Sequence, residues 1–441
     1  MTHSELSSFE VKIVGNVLKY SSTESSIELS DILCVLSEST SRHSVLFFQS
    51  ESNGQESERV HLKKIEIKSL PTEISPFVTN IPSHLRYENE AAIQVVISTG
   101  SGTGKAKTVY QDAVQPLLTY LGITNVEVHE TQSTQTIIEL ARSNFLERAH
   151  NGEPQTIFLL SGDGGLVDIL DVFYKSKRTI SVPPNLVLIP CGTGNAMASS
   201  IGLRSGPLPG LSTLLQGIAS PVPVFAAKFS PGSRLVVDEG RHQVPIGLDA
   251  DAAGHTLYGA VVASWGLHAA LVADSDTVEY RKFGVDRFKM AAKELLYPSD
   301  GTPSHQFKGK ITLITSDRNE IHQAVEELEH MYALATLVPR LEKEFLISPD
   351  SVPLSGQMKL IRFGPMSPEE AMHLMTLAYQ GGRHVLEPTV TYADVEEVRI
   401  DFHEDEERWR RVCIDGKIVA VGRDGWVELR KEPSRLLNLI H

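Results

Sequence analysis

Four apolar runs in the middle of the chain limit what it can fold into: Ile93 to Ile97, Val126 to His129, Thr156 to Leu160 and Leu186 to Ile189, each followed by a helical stretch. Unbroken apolar strands alternating with helices make a parallel sheet buried on both faces. In such sheets ligands sit outside the carboxyl ends of the strands. Three loops rich in glycine, 98–105, 161–165 and 190–195, each follow one of these strands, so all three fall on that edge.

The flanks read differently. Residues 1–85 hold short β-rich runs (Val11 to Val17, Ser44 to Gln49, Val60 to Ile67), and Pro71, Pro76 and Pro82 punctuate the exit. Residues 86–225 form the α/β unit. After Pro223, residues 226–441 return to short β-like segments, among them Ala260 to Ser264, Lys310 to Thr315, Met358 to Phe363, Thr389 to Ile400, Arg411 to Ile414 and Trp426 to Leu429. The expected architecture is an α/β domain with a parallel sheet and glycine-rich loops at strand C-termini, followed by an antiparallel β-sandwich domain. Two helices are expected within the last part, over Glu320 to Leu337 and over Pro368 to Tyr379, the latter with Ser367 as N-cap.

A chain of 441 residues needs more than one core. Its formal charge of -14 argues against nucleic acid as a main partner. Cys34, Cys191 and Cys413 fit no metal-binding spacing, and their small, odd number suits a reducing compartment. No apolar stretch is long enough to span a bilayer, and the start of the chain lacks a signal-peptide pattern. These features point to a cytoplasmic protein.

The first glycine loop, Ser-Thr-Gly-Ser-Gly-Thr-Gly-Lys over 98–105, allows backbone amides to approach phosphate oxygens. It is neither a P-loop, since the spacing differs and Ala106 follows Lys105, nor the dinucleotide fingerprint. The second, Ser161-Gly-Asp-Gly-Gly165, exposes Asp163 at a strand end, where a carboxylate can take a proton from an attacking hydroxyl. The third, Pro190-Cys-Gly-Thr-Gly-Asn195, offers glycines and Thr193 to phosphates or metal-bound oxygens.

In combination these loops resemble the diacylglycerol kinase catalytic family, which includes sphingosine and ceramide kinases. Farther on, Ser264-Trp-Gly266, then Asp274-Ser-Asp-Thr-Val-Glu-Tyr-Arg-Lys-Phe-Gly284 and Arg287-Phe288, are similar to the sphingosine kinase signature, and Cys413-Ile-Asp-Gly416 to the late Asp-Gly-Glu motif. The resemblance implies ATP and Mg2+ as cofactors and a sphingoid long-chain base as acceptor, met by peripheral contact with intracellular membranes. It makes Asp163 the general base, with Ser161, Gly162 and Gly164 lining the substrate and Asp274 facing its ammonium. It assigns the nucleotide to Ser98, Thr99, Gly100, Thr131, Gln132, Ser133, Thr134, Gln135, Asp168, Gly192, Thr193 and Gly194. Arg281 and Arg287 would hold the triphosphate, and Asp415, Gly416 and Lys417 would complete the site.

The chain departs from the family pattern at Ser98-Thr99 for Asn-Pro, Thr136 for histidine, Gly165 after the S-G-D-G, Asp168 for glutamate and Lys417 for the late acid. Rival readings are a diacylglycerol, ceramide or other lipid kinase, and a lipid-binding homologue without turnover. Two other features read as ordinary surface: His322, Glu326 and His330 as one face of a helix, and the charge run 403–411 as a solvated turn.

Overall fold

The computed structural model describes residues 9–20, 25–51, 59–87, 92–102, 104–176, 178–203, 208, 210–246, 255–283, 286–314 and 322–441. The four apolar runs form Ile93–Ile97, Val126–Glu130, Thr156–Ser161 and Asn185–Pro190. They pair in parallel, with Ile93–Ile97 between Val126–Glu130 and Thr156–Ser161, and Asn185–Pro190 beyond Thr156–Ser161. Strand order therefore reverses between the first and third strands, which puts a crevice at the ends of those two.

This sheet takes two further strands. Asn438–Ile440 pairs in parallel with Asn185–Pro190, and Ala219–Pro221 closes the edge antiparallel to it. The end of the chain thus lies in the first sheet, with Leu439 fully buried. Residues 226–441 do not close on themselves.

The N-terminal segment is two three-stranded antiparallel sheets. In the second, Val45-Leu46-Phe47-Phe48 is buried throughout. Alternation explains the unbroken run: Val45 and Phe47 pack on the first sheet, while Leu46 and Phe48 join the core beneath helix 106–120. Arg59 clamps Asp112 of that helical segment through Nε at 3.0 Å and Nη2 at 2.8 Å.

The C-terminal half holds a seven-stranded and an eight-stranded antiparallel sheet. Ala263, Ala333 and Leu360 of one and Val398, Ile400 and Leu429 of the other line the same small gap, so the sheets face each other as a sandwich. Pro368–Tyr379 is the expected helix, with Ser367 and Glu370 forming a reciprocal capping box. The helix expected over Glu320 to Leu337 is replaced by strands His322–Ala324, Glu329–His330 and Tyr332–Thr336. Tyr332–Thr336 lies between Val262–Gly266 and Met358–Phe363 with every residue buried, so pairing on both edges overrides the helix-forming composition. His330 is buried against Gly309 O at 3.1 Å and shares no helix face with His322. Between the sandwich strands the chain also forms helices Leu267–Ser275 and Asp286–Leu296, within the segment that carried the acidic and arginine motif.

Leu439→Ala leaves a cavity in the α/β sheet, and its expected cost is about 2–5 kcal/mol, read from chemical denaturation.

Candidate active site

The three loops interlock at the crevice because glycine lets backbone meet backbone. A Cβ on Gly192 would lie 2.5 Å from Gly162 Cα, and one on Gly102 would lie 2.4 Å from Cys191 O. Neither approach is open to a residue with a side chain. Gly102 also takes φ +53°. Ser101 Oγ accepts a hydrogen bond from Gly162 N at 3.0 Å, joining the first loop to the second, and Cys191 N donates to Ser161 O at 3.0 Å, joining the third to the second.

Asp163 sits at this junction, partly exposed at the start of helix Asp163–Lys175. Its Oδ2 accepts from Ala196 N at 2.7 Å and its Oδ1 from Met197 N at 2.9 Å. Burial pushes its carboxyl above the ordinary value, against the pull of these backbone donors. Each oxygen keeps lone-pair capacity for a proton.

The residues expected to contact the nucleotide form linked turns at the same sheet edge. Thr99 donates its N–H to Thr131 Oγ1 at 3.0 Å and its hydroxyl to Thr131 O at 2.8 Å, fastening Ser98, Thr99 and Gly100 to the second strand's loop. Gln132, Ser133, Thr134 and Gln135 are exposed there. Thr136, at the position of the family's histidine, holds their turn by accepting from Gln132 N and Ser133 N at 3.0 and 3.1 Å. Gly192, Thr193 and Gly194 form a loop closed by Asn195, which accepts from Gly192 N at 3.0 Å and donates to Gly192 O at 2.9 Å. Asn195 adopts φ 51°, a conformation asparagine tolerates. The sequence does not single out Ser101 or Asn195 for these contacts, although both lie within the glycine loops, and it marks Thr136 only as a departure from the family pattern.

Helix Asp163–Lys175 also carries the contact between the two halves. Lys417 Nζ meets Asp168 Oδ1 at 2.8 Å, and Tyr258 N donates to Asp171 Oδ1 at 3.2 Å. The two departures at 168 and 417 therefore answer each other. Burial opposes the Lys417 ammonium, but the charges of Asp168 and Asp171 outweigh it and hold Lys417 protonated more firmly than usual.

Asp415, next to Gly416 at the tip of the hairpin that Lys417 continues, turns inward. Its carboxylate accepts from Ala260 N at 2.6 Å, Val262 N at 2.5 Å and Val261 N at 3.1 Å. Burial pushes it up to about 7, the three donors oppose this, and the charge of Asp163 adds to it. Asp415 therefore shapes the strand start at Val262 and lies within electrostatic reach of Asp163.

The other predicted residues pair with charged side chains of the C-terminal half. Arg281 pairs with Asp276 at 3.0 Å and Glu239 at 3.3 Å, and Arg287 approaches Asp276 at 3.7 Å. The Arg287 Nε is buried without a hydrogen-bond partner. Asp274 is held by Arg408 at 2.9 Å and Arg411 at 2.7 Å. The charge run 403–411 is thus more than a solvated turn: Arg410 and Glu404 are buried, and Arg410 donates to Glu404 O and Val421 O. Gly284 of the motif lies outside the described residues.

Among the described residues, no three His, Cys, Asp or Glu side chains are grouped to hold a metal ion. The loops fit a nucleotide, through close-packed backbone at a strand edge. A magnesium ion carried by phosphates needs only one or two protein carboxylates, and Asp163 is the carboxylate at the loop junction.

Parts of the sequence and the fold are similar to known proteins. Residues 92–227 match the family model described as Diacylglycerol kinase catalytic domain. Sphingoid long chain base kinase 5 of Saccharomyces cerevisiae is 29% identical over 127 residues, which is 28% of this chain and 18% of the yeast protein. The match thus spans less than a fifth of that relative. Two solved structures from Bacillus anthracis str. Sterne, each described as a candidate diacylglycerol kinase, share the fold with TM-scores of 0.52 and 0.51. They are 13% and 14% identical, and each alignment covers 81% of this chain and 98% of the other. The fold is that of two-domain diacylglycerol-kinase-like proteins. Residues 92–227 are thus similar to the diacylglycerol kinase catalytic domain, and the likeness covers under a third of the chain.

Lys417→Met strands the Asp168 carboxylate in the domain contact. About a fifth of each side chain is exposed, so the expected loss is about 1–3 kcal/mol, less than for a fully enclosed pair. The Asp168→Asn/Lys417→Met double variant should recover part of it in a denaturation cycle.

Proposed function

We propose that this protein is an ATP- and magnesium-dependent lipid kinase that phosphorylates the primary hydroxyl of a sphingoid long-chain base. One observation carries the kinase reading: Asp163 stands where three glycine loops interlock, with its carboxyl raised toward the range useful for a general base. The acceptor hydroxyl gives its proton to a carboxylate oxygen of Asp163 as its own oxygen takes the phosphoryl group. The Ala196 and Met197 amides hold that carboxylate in place. Loop backbone and the helices that follow offer positive dipoles to phosphate. Bound nucleotide supplies the phosphoryl group, and its magnesium ion neutralises phosphate charge.

The acceptor class rests on the signature around Asp274 and on the yeast relative's name. A second reading, an uncharged acceptor such as diacylglycerol or ceramide, is favoured by the two arginines already on Asp274.

Such a substrate requires peripheral contact with a membrane. Helix Asp286–Leu296 and the turn before it support that contact, with Phe283 53% and Met290 39% exposed beside exposed Lys282, Lys289 and Lys293. Phe283→Asp/Met290→Asp should reduce cosedimentation with anionic vesicles, and undiminished binding would move the contact elsewhere.

The decisive experiment incubates the protein with ATP, magnesium and a panel of sphinganine, ceramide and diacylglycerol, and identifies products by mass. Sphinganine phosphate is expected, reduced by about 10²- to 10⁴-fold in Asp163→Asn. Because the base must be unprotonated and its pKa is raised, activity should climb with pH along a limb above the ordinary carboxylate range. Product from ceramide or diacylglycerol alone would replace the acceptor, and equal turnover by Asp163→Asn would remove the assigned base.

A further inference from the structure

We infer that Arg408 is a specificity-determining residue, an internal cation that occupies Asp274 and must yield it to the ammonium of an incoming amine-bearing lipid. This rests on the sphingoid-base reading above.

The two arginines on Asp274 are not equivalent. Arg411 Nη2 donates to Oδ1 at 2.7 Å, its side chain is 17% exposed, and its Nε is fixed on Arg408 O at 2.8 Å. It stands at the start of strand Arg411–Ile414, whose neighbours hold it in register. Arg408 Nη2 donates to Oδ2 at 2.9 Å from a short helical turn, and its side chain is 49% exposed. Arg411 is the built-in partner and Arg408 the exchangeable one.

Arg408 also has somewhere to go. Its guanidinium lies 4.5 Å from the Trp409 ring centroid. That indole is itself fixed, stacked on His305 at 4.0 Å and packed edge-on to Phe307 at 5.5 Å. A rigid aromatic face holds a guanidinium well after it leaves a carboxylate. Glu294, on helix Asp286–Leu296, feels the Arg408 charge and offers a second acidic neighbour. Removing Arg408 from Oδ2 therefore strands neither the guanidinium nor Asp274, which keeps Arg411.

The exchange has a direction for specificity. An amine-bearing acceptor competes with Arg408 for one carboxylate oxygen, whereas an uncharged headgroup neither needs that oxygen nor displaces anything from it. Half-exposed ion pairs of this kind are worth up to about 1 kcal/mol. Arg408 thus weakens binding of an amine-bearing acceptor several-fold relative to an unoccupied Asp274.

The test compares wild type, Arg408→Ala, Arg408→Lys and Arg408→Ala/Asp274→Asn, with sphinganine as acceptor and N-acetylsphinganine as its uncharged counterpart, used as substrate or competitive inhibitor. Arg408→Ala should lower the KM for sphinganine about three- to fivefold. The change should fall in KM rather than kcat and leave the constant for N-acetylsphinganine where it was. Arg408→Lys, which returns a cation, should restore most of the wild-type KM, and Asp274→Asn should cancel the gain. An unchanged sphinganine KM, or an equal shift for both lipids, overturns the inference while leaving the kinase reading intact. If neither wild type nor Arg408→Ala phosphorylates sphinganine, the acceptor reading falls and the inference with it.

Discussion

The close approach of Gly162 to Gly192 is the constraint on which the site depends. With 2.5 Å between a hypothetical Cβ on Gly192 and Gly162 Cα, no side chain fits between the second and third loops. That contact brings the start of helix 196–200 against Asp163, so that two consecutive amides reach its carboxylate. Placement of the candidate base is therefore set by two backbones in contact, more rigidly than a single rotamer would set it. The same helix that begins at Asp163 continues to Asp168, Asp171 and Tyr174, where it meets the sandwich. One element of 13 residues links the proposed chemistry to the domain contact.

The Asp168–Lys417 pair shows how paired departures from a family pattern are better read together. Singly, a lysine in place of an acid looks like a lost contact. In the structure the lysine ties the hairpin tip to helix Asp163–Lys175, and Asp415, two residues earlier, anchors the same tip through three amides of 260–262.

Much of this was legible in the sequence where physics acts locally. Strand Ile93–Ile97 and the capped helix Pro368–Tyr379 follow from apolar runs and capping chemistry, and glycine loops after strands locate the crevice. Elements set by distant pairing were hidden. The stretch through Tyr332–Thr336 has the alanine and leucine of a helix, yet two neighbouring strands claim it. The charge run that holds Arg408 and Arg411 reads as solvated because its partner, Asp274, lies 134 and 137 residues away. Asn438–Ile440 gives no sign in its composition that it belongs beside Asn185–Pro190.

That last pairing bears on how the protein is made. Synthesis runs from the N-terminus, and domains ordinarily fold as they emerge. Here the glycine loops and Asp163 are translated early, but the sheet beneath them lacks an interior strand until residues 438–440 leave the ribosome. Ala219–Pro221, which pairs with that strand, waits with it. The nascent α/β unit therefore presents an open β-edge along Asn185–Pro190 while the whole sandwich is being synthesised, and this is the stage at which a chaperone has most to protect.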